Sequence, residues 1–254
     1  MNELKNFVHR GFDVLGLEVR TKRALREAHQ RELKGRASRP WQLLRNQNFD
    51  QVIDVGANIG QFAEMARALW PKARIDSFEP LPDVFLELTK RLGTSPNFFA
   101  HQVALGRERG KVAMKSNDFS PSSSILDLAK LHTEEWPNAT GVKLVDVPVE
   151  TLDEWYKASG QIETNLLIKI DVQGYELEVL EGALDVLRRA RWIVLEVSFY
   201  ELYKGQPLFG DIHKKLDRLG YVYRGSIEQF MNKAEDKLLF ADALFENMSI
   251  CSAV

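Results

Sequence analysis

From Phe49 onward, short apolar runs alternate with stretches whose apolar residues recur every three or four positions, the pattern of strands alternating with helices. The first run, residues 50–55, meets a turn bracketed by Gly56 and Gly60. Phe62, Met65, Ala66 and Leu69 then share a helical face as far as Trp70-Pro71. A second strand is predicted over 73–79, stopped by Pro80, with a helix over 83–92. A third strand follows over 97–103, then a turn at 106–110 and a peripheral strand over 111–115. Order returns at Val147 with a short strand entering a helix that Thr151 caps, Glu154 standing three residues on. Next come an apolar strand over 165–171 and a helix from Gly174 to about Ala190, with Leu177, Val179, Leu180, Leu184 and Leu187 largely on one face. A strand over 192–197, a helix over 211–219 and strands over 221–224 and 238–245 complete the series. This alternation predicts a doubly wound α/β domain over 49–254, its last two strands forming a closing hairpin.

Two stretches depart from the pattern. Residues 116–146 are rich in Ser, Pro and Asn with weak periodicity, and a stretch that long inside a compact domain is expected to be a lid that touches substrate. Residues 1–48 form a separate arm, with helical spacing over 3–16 and a mostly charged helical candidate over 20–34, before Gly35 and Pro40 break the pattern. The arm has two readings: it packs on the domain or on a second copy in a homodimer, or it is a basic amphipathic element that meets an anionic membrane surface or an acidic glycolipid.

Charge sharpens that division. The 254 residues carry a formal net charge of -2. Residues 1–45 hold 11 Lys and Arg against 5 Asp and Glu, and the remainder holds 23 against 31. An acidic body argues against a nucleic-acid substrate, whose phosphates need Lys and Arg. Cys251 is the single cysteine, so no intrachain disulfide or Cys-based zinc site can form. With no N-terminal apolar run of signal or membrane length, a cytoplasmic setting is expected.

In open α/β sheets the ligand lies beyond the carboxyl ends of the strands, which makes Asp54, Glu79, Asp171 and Glu196 the site candidates. Gly56 and Gly60 are spaced G-x-x-x-G rather than the G-x-G-x-x-G that closes on a dinucleotide pyrophosphate, so the ligand is expected to lack one. Glu79 stands where an acid after the second strand accepts hydrogen bonds from ribose hydroxyls. Asp54 can face an ammonium, and the Ala57-Asn58-Ile59 turn can offer backbone N–H groups to a carboxylate. A ligand with ribose, ammonium, carboxylate and a cationic centre, and no phosphate, is S-adenosylmethionine.

Several motifs then fall in order and spacing: Val52-Ile-Asp-Val-Gly-Ala-Asn-Ile-Gly-Gln-Phe-Ala63, Ser77-Phe-Glu-Pro80, Val103-Ala-Leu-Gly106, Ser122-Ser-Ser-Ile125, Val147-Pro-Val-Glu-Thr-Leu-Asp153 and Leu167-Ile-Lys-Ile-Asp-Val-Gln-Gly-Tyr-Glu-Leu-Glu-Val-Leu180. On these residues the chain resembles the FkbM-type family of S-adenosylmethionine-dependent methyltransferases. The resemblance spans about 50–200 and departs at Gln173, where the family usually has glutamate. It implies a Rossmann-like, seven-stranded methyltransferase sheet and O-methylation of a hydroxyl on a sugar, glycan or natural product. It also implies that Asp54, Gly56, Asn58 and Gly60 hold the methionine part of the cofactor, Glu79 the ribose, and Val103 and Ala104 the adenine. Ala57, Gln61, Pro80 and Asp171 complete the expected cofactor contacts.

Methyl transfer from a sulfonium is an in-line displacement, and a neutral sugar hydroxyl needs a base within reach. Asp171 is the first candidate and Glu196 the second. Lys169 lies two residues from Asp171, so both point to one face of the strand, and a pair between them would weaken Asp171 as a base and leave it to orient. No paired acids or histidine spacing suggest a metal, and metal independence is expected. The competing readings are a nicotinamide-dependent oxidoreductase, methylation of nucleic acid or protein, and a catalytically inactive cofactor-binding interaction module.

Overall fold

Gln51–Val55 (β1) and Leu166–Ile170 (β7) are buried along their whole length, as strands covered by helices on both faces must be. They pair in parallel at the centre of a seven-stranded sheet. The sheet order is β3-β2-β1-β7-β8-β10-β9, where β2 is Arg74–Phe78, β3 Phe98–His101, β8 Trp192–Ser198, β9 Tyr221–Asn232 and β10 Lys237–Asn247. Only β10 runs antiparallel to its neighbours β8 and β9, which is the closing hairpin that the two late strands predict. The computed structural model describes residues 41, 43–117, 124–126, 129, 131, 142–160, 165–232 and 236–251. The helices expected over 3–16 and 20–34, the two readings of the arm, and most of the expected lid lie outside those residues.

Alternation along the strands sorts side chains to two faces. One face carries Ile53, Val55, Ile168, Ile170, Ile193, Leu195 and Val197, packed with Leu152, Val179, Leu180 and Leu187 from the helices Leu152–Ser159 and Glu176–Glu181 and the short helix Leu184–Leu187. The other carries Val52, Leu167, Val194 and Leu244 under the helix Gln61–Leu69 (α1), whose Phe62, Ala63 and Ala66 are buried. A further helix, Pro82–Leu92 (α2), brings Leu88 and Leu92 to this second face.

Three expectations change. The helix after Gly174 is not continuous to Ala190: it breaks at Gly182-Ala183 into Glu176–Glu181 and Leu184–Leu187. A Cβ on Gly182 would stand 1.9 Å from the carbonyl oxygen of Gly106, so the backbone closes there on another loop, and Asp153 accepts from the N–H groups of Asp185 and Val186 to start the second piece. Residues 142–146 are strand and not loop. Val142–Glu150 (β6) pairs with Gly110–Asn117 (β5) and with Ala104–Leu105 (β4) in a second, three-stranded sheet, burying Val147 and Val149. The alternation was masked by Leu144, which points to solvent at 64% exposure. The third strand of the main sheet ends at His101, because Ala104 and Leu105 leave it for this smaller sheet.

Candidate active site

A cavity of about 370 Å³ opens beyond the carboxyl ends of β1, β2 and β7, where the strand order reverses direction. That volume is in the range of small-molecule pockets, roughly 300–1,000 Å³. Its lining includes Asp54, Gly56, Ala57, Asn58, Gln61, Glu79, Pro80, Val103, Ala104, Lys169 and Asp171, all candidates from the sequence. Gly60 and Glu196 are not in the lining. Gly60 adopts φ 91° at the start of α1, and a Cβ there would lie 2.7 Å from Leu92 Cδ1 and 2.8 Å from Leu88 Cδ1; helix packing accounts for it. Gly56, at φ 80°, has the Asp171 carbonyl oxygen 1.9 Å from where its Cβ would be, so this glycine lets the first loop rest on the end of β7.

The turn after β1 does not offer the N–H groups expected of it. The Ala57 N–H donates to the Phe78 carbonyl at 2.9 Å, the Asn58 N–H to Glu79 Oε2 at 3.0 Å, and the Ile59 N–H to Asn58 Oδ1 at 2.7 Å. Spacing alone cannot reveal that the loop's own neighbours consume its donors. The donors left for an anion are those of the first turn of α1, where no helix carbonyl can reach and where Gln61 and Phe62 line the cavity.

Glu79 is buried, and its other oxygen, Oε1, accepts from the Leu81 N–H at 2.9 Å. Burial pushes its carboxyl up to about 7 against the lowering effect of those two backbone bonds. Asp54 is likewise buried and accepts from Ser77 Oγ at 3.0 Å; burial raises it to about 6, offset in part by Lys169 and Ser77.

Lys169 Nζ lies 2.9 Å from Asp171 Oδ2. Burial opposes the charge of this lysine, but Asp171, Asp242 and Asp54 outweigh it and hold the ammonium firmly protonated. Burial also works to raise Asp171, yet the charge and hydrogen bond of Lys169 and the amide of Gln173 bring it below the usual carboxylate range. Gln173 links the neighbouring acids: its Nε2 donates to Asp171 Oδ1 at 2.8 Å and to Glu196 Oε1 at 3.3 Å, while its Oε1 accepts from Tyr203 Oη at 2.7 Å. Its backbone is held at φ 55°, and its carbonyl accepts from Ser124 Oγ at 2.6 Å. Glu196 is raised well above its ordinary value by burial and by the charges of Asp171 and Glu176.

Sequence reasoning missed Trp41, Phe62, Met65, Glu228 and Asp242, all of which line the cavity. Asp242 pairs in register with Glu196, and the antiparallel course of β10 brings the first half of that strand to the carboxyl ends of the parallel ones. Its one sequence signal, an acid inside an apolar strand, had no assigned partner. Among the described lining residues, five carboxylates, those of Asp54, Glu79, Asp171, Glu228 and Asp242, stand against the single ammonium of Lys169. Such a lining fits a ligand carrying positive charge and repels a pyrophosphate. No group of three or more His, Cys, Asp or Glu among the described residues has the geometry of a metal site.

Fold and site together define a Rossmann-like α/β protein with a small-molecule pocket at the switch point of its sheet. The chain belongs to the FkbM methyltransferase family: the family model described as the methyltransferase FkbM domain matches residues 54–223. It is 29% identical over 161 residues to the 2-O-methyltransferase NoeI of Sinorhizobium fredii, covering 61% of this chain and 66% of that protein. It is also 29% identical over 168 residues to the hexuronic acid methyltransferase AglP of Haloferax volcanii, covering 66% of this chain and 64% of that one. The chain thus spans just under two thirds of the length of each of these relatives. A crystal structure of magnesium protoporphyrin IX methyltransferase from Synechocystis PCC 6803 with bound SAM overlaps it with a TM-score of 0.47 at 12% identity, over 91% of this chain and 86% of that one. The family assignment removes the nicotinamide-dependent oxidoreductase reading. No helix among the described residues is long and apolar enough to cross a membrane.

Proposed function

We propose that this protein is an S-adenosylmethionine-dependent O-methyltransferase whose acceptor is a hydroxyl of a sugar or glycan. The observation that carries the reading is the cavity lining of five carboxylates and one lysine at the carboxyl ends of β1, β2 and β7. One relative is named for a 2-O-methyl transfer and the other for a hexuronic acid acceptor, which together favour a sugar hydroxyl over other acceptors; the acidic sugar is that relative's acceptor and is not carried to this chain. When bound, S-adenosylmethionine supplies the electrophilic methyl carried on its sulfonium sulfur.

The chain's own residues bind and orient. Asp54 takes the ammonium of the methionine part, and the first turn of α1, with Gln61 at the cavity, takes its carboxylate. Gly56, Ala57 and Asn58 shape that end of the pocket. Glu79 accepts from the ribose hydroxyls through the lone pairs that Asn58 and Leu81 leave unused. Pro80, Val103 and Ala104 form the apolar edge along the adenine. Asp171, its basicity reduced by Lys169, orients the reacting groups and does not take the proton. Holding oxygen, methyl and sulfur in line is the main contribution such a site makes to rate.

Thermal shift with S-adenosylhomocysteine and with NAD, followed by labelled methyl transfer to a panel of glycans and their nucleotide-linked precursors, tests this reading. Stabilisation by S-adenosylhomocysteine alone and label on a sugar oxygen are expected. Stabilisation by NAD alone, or a donor-binding protein that labels no sugar, would overturn it.

A further inference from the structure

In the proposed function Asp54 and Glu79 serve the donor and Asp171 pairs with Lys169, which leaves two lining carboxylates without a task. Asp242 and Glu228 both lie beyond residue 223, where the family match ends, on the hairpin formed by β9 and β10. Asp242 stands opposite Glu196 in register, so it shares the cavity end of the sheet with Lys169 and Asp171. Among the described residues no N–H or O–H group donates to its carboxylate; its neighbours act on it through charge alone. A half-buried acceptor without a donor is costly, and the cavity is the side from which a donor can reach it. The same end has an apolar wall. Lys169 Nζ lies 5.7 Å from the centre of the Phe62 ring, and Phe62 packs 5.3 Å from Trp41, whose buried indole N–H has no hydrogen-bond partner among the described residues. These rings are buried and back the cavity without offering an open face, so what remains for a ligand at this end is carboxylate acceptors that O–H donors can reach, and a sugar presents such donors at its rim.

We propose that Asp242 receives the acceptor's hydroxyl and accepts its proton during transfer, and that Asp242 and Glu228 together select sugars bearing no carboxylate or phosphate. This rests on the reading of the protein as a sugar O-methyltransferase. The proton passes from the acceptor oxygen to the Asp242 carboxylate. That oxygen's electron pair forms the new O–CH₃ bond as the S–CH₃ bond breaks and leaves its pair on sulfur, giving a methyl ether, a neutral thioether and a protonated Asp242 that returns its proton to solvent. Charged groups face Asp242 from three sides: Lys169 on β7 with Asp171 just past its end, Glu196 on β8 and Glu228 on β9. Burial raises its carboxyl to about 6, with Lys169 pulling down and Asp171 and Glu228 pushing up, so it is ionised at neutral pH and more basic than an exposed aspartate. An anionic sugar would bring its charge against Asp242 and Glu228, while Lys169 is already paired with Asp171.

The test uses the full chain with S-adenosylhomocysteine bound, titrated by calorimetry with methyl hexosides, methyl hexuronides and hexose 1-phosphates, and the same probes in labelled methyl transfer. Methyl hexosides should bind most tightly, with kcat/KM at least about tenfold above the two anionic classes, which corresponds to one like-charge encounter in a partly buried site. Asp242→Asn, matched in size, should keep its Tm and its S-adenosylhomocysteine affinity, lose about 10²-fold or more in kcat, and lose the acidic limb of the kcat profile near pH 6. Glu228→Gln should narrow the discrimination against hexuronides. Tighter binding of hexuronides or hexose phosphates than of hexosides overturns this proposal while leaving sugar methylation intact, as does an Asp242→Asn protein with full kcat and an unaltered acidic limb. A wild-type protein that binds S-adenosylhomocysteine but neither binds nor methylates any of the three probes overturns the sugar reading and this proposal with it.

Discussion

The ammonium of Lys169 and the carboxylate of Asp171 stand 2.9 Å apart at the exit of the central strand, the lysine side chain only 8% exposed. The lysine also offsets Asp54 and Asp242, so it balances three acids and not one. Lys169→Met keeps the length of the side chain and leaves those acids without their counter-charge. It should cost about 3–5 kcal/mol, the range for breaking a buried pair from one side. Denaturant unfolding at pH 7.5 measures this, and a loss below about 1 kcal/mol would show that the acids find compensation elsewhere.

Donor binding should release protons. In the free protein the Asp54 carboxyl is raised to about 6 and that of Glu79 to about 7, both above the ordinary range near 4. Between those limits the folded chain holds more protons than the unfolded one, so these two groups make stability fall as pH rises from about 4 to 7. An ammonium against Asp54 and hydroxyls donating to Glu79 both favour the ionised forms. Calorimetry with S-adenosylhomocysteine at pH 6.5, in buffers of different ionisation enthalpy, should report net proton release. Net uptake would contradict the assignment of these two acids.

Glu79 has two duties that one substitution separates. Its carboxylate satisfies the N–H groups of Asn58 and Leu81 and is proposed to accept from the ribose. Glu79→Gln turns an amide group toward one of those backbone donors, at a cost of about 1–3 kcal/mol in stability. It should also weaken S-adenosylhomocysteine by roughly tenfold, the equivalent of two hydrogen bonds at about 0.5–1.5 kcal/mol each. Lower stability with unchanged affinity by calorimetry would leave Glu79 as a loop brace only.

Gln173 places an amide between two carboxylates, and Gln173→Glu would place a third carboxylate there. The added charge should raise the already perturbed Glu196 further, so that the folded state holds still more protons than the unfolded one across neutral pH. The loss of Tm relative to wild type should therefore be small at pH 5 and grow toward pH 8. Equal losses at both ends would show that geometry at Gln173, and not charge, is responsible.

Much of this fold is written in local pattern. The apolar runs at 50–55, 165–171 and 192–197 could be read as largely buried strands, and Thr151 as a cap whose oxygen meets the Glu154 N–H at 3.1 Å, because apolar run length and capping depend on residues within a few positions of one another. Glu79 and Asp171, legible as acids at strand ends, and Gly56 in the first loop all line the cavity. The strand over 142–146 escaped because a single exposed leucine broke its alternation, and the break at Gly182 because its cause, the Gly106 carbonyl, comes from a distant loop.

The sequence by itself determined the family, the alternation of strands and helices in the main sheet, and the acids at the ends of β1, β2 and β7. Only the tertiary structure decided which of those groups are free to act. The N–H groups of Ala57, Asn58 and Ile59, in the loop after β1, are consumed by Phe78, Glu79 and Asn58; Asp171 is weakened by its lysine; and Asp242, far along the chain, reaches the cavity because β10 runs against the other strands. Period and spacing record what lies next to a residue along the chain. The strength of an acid and the availability of a donor depend on what lies next to it across the sheet, and register alone supplies that.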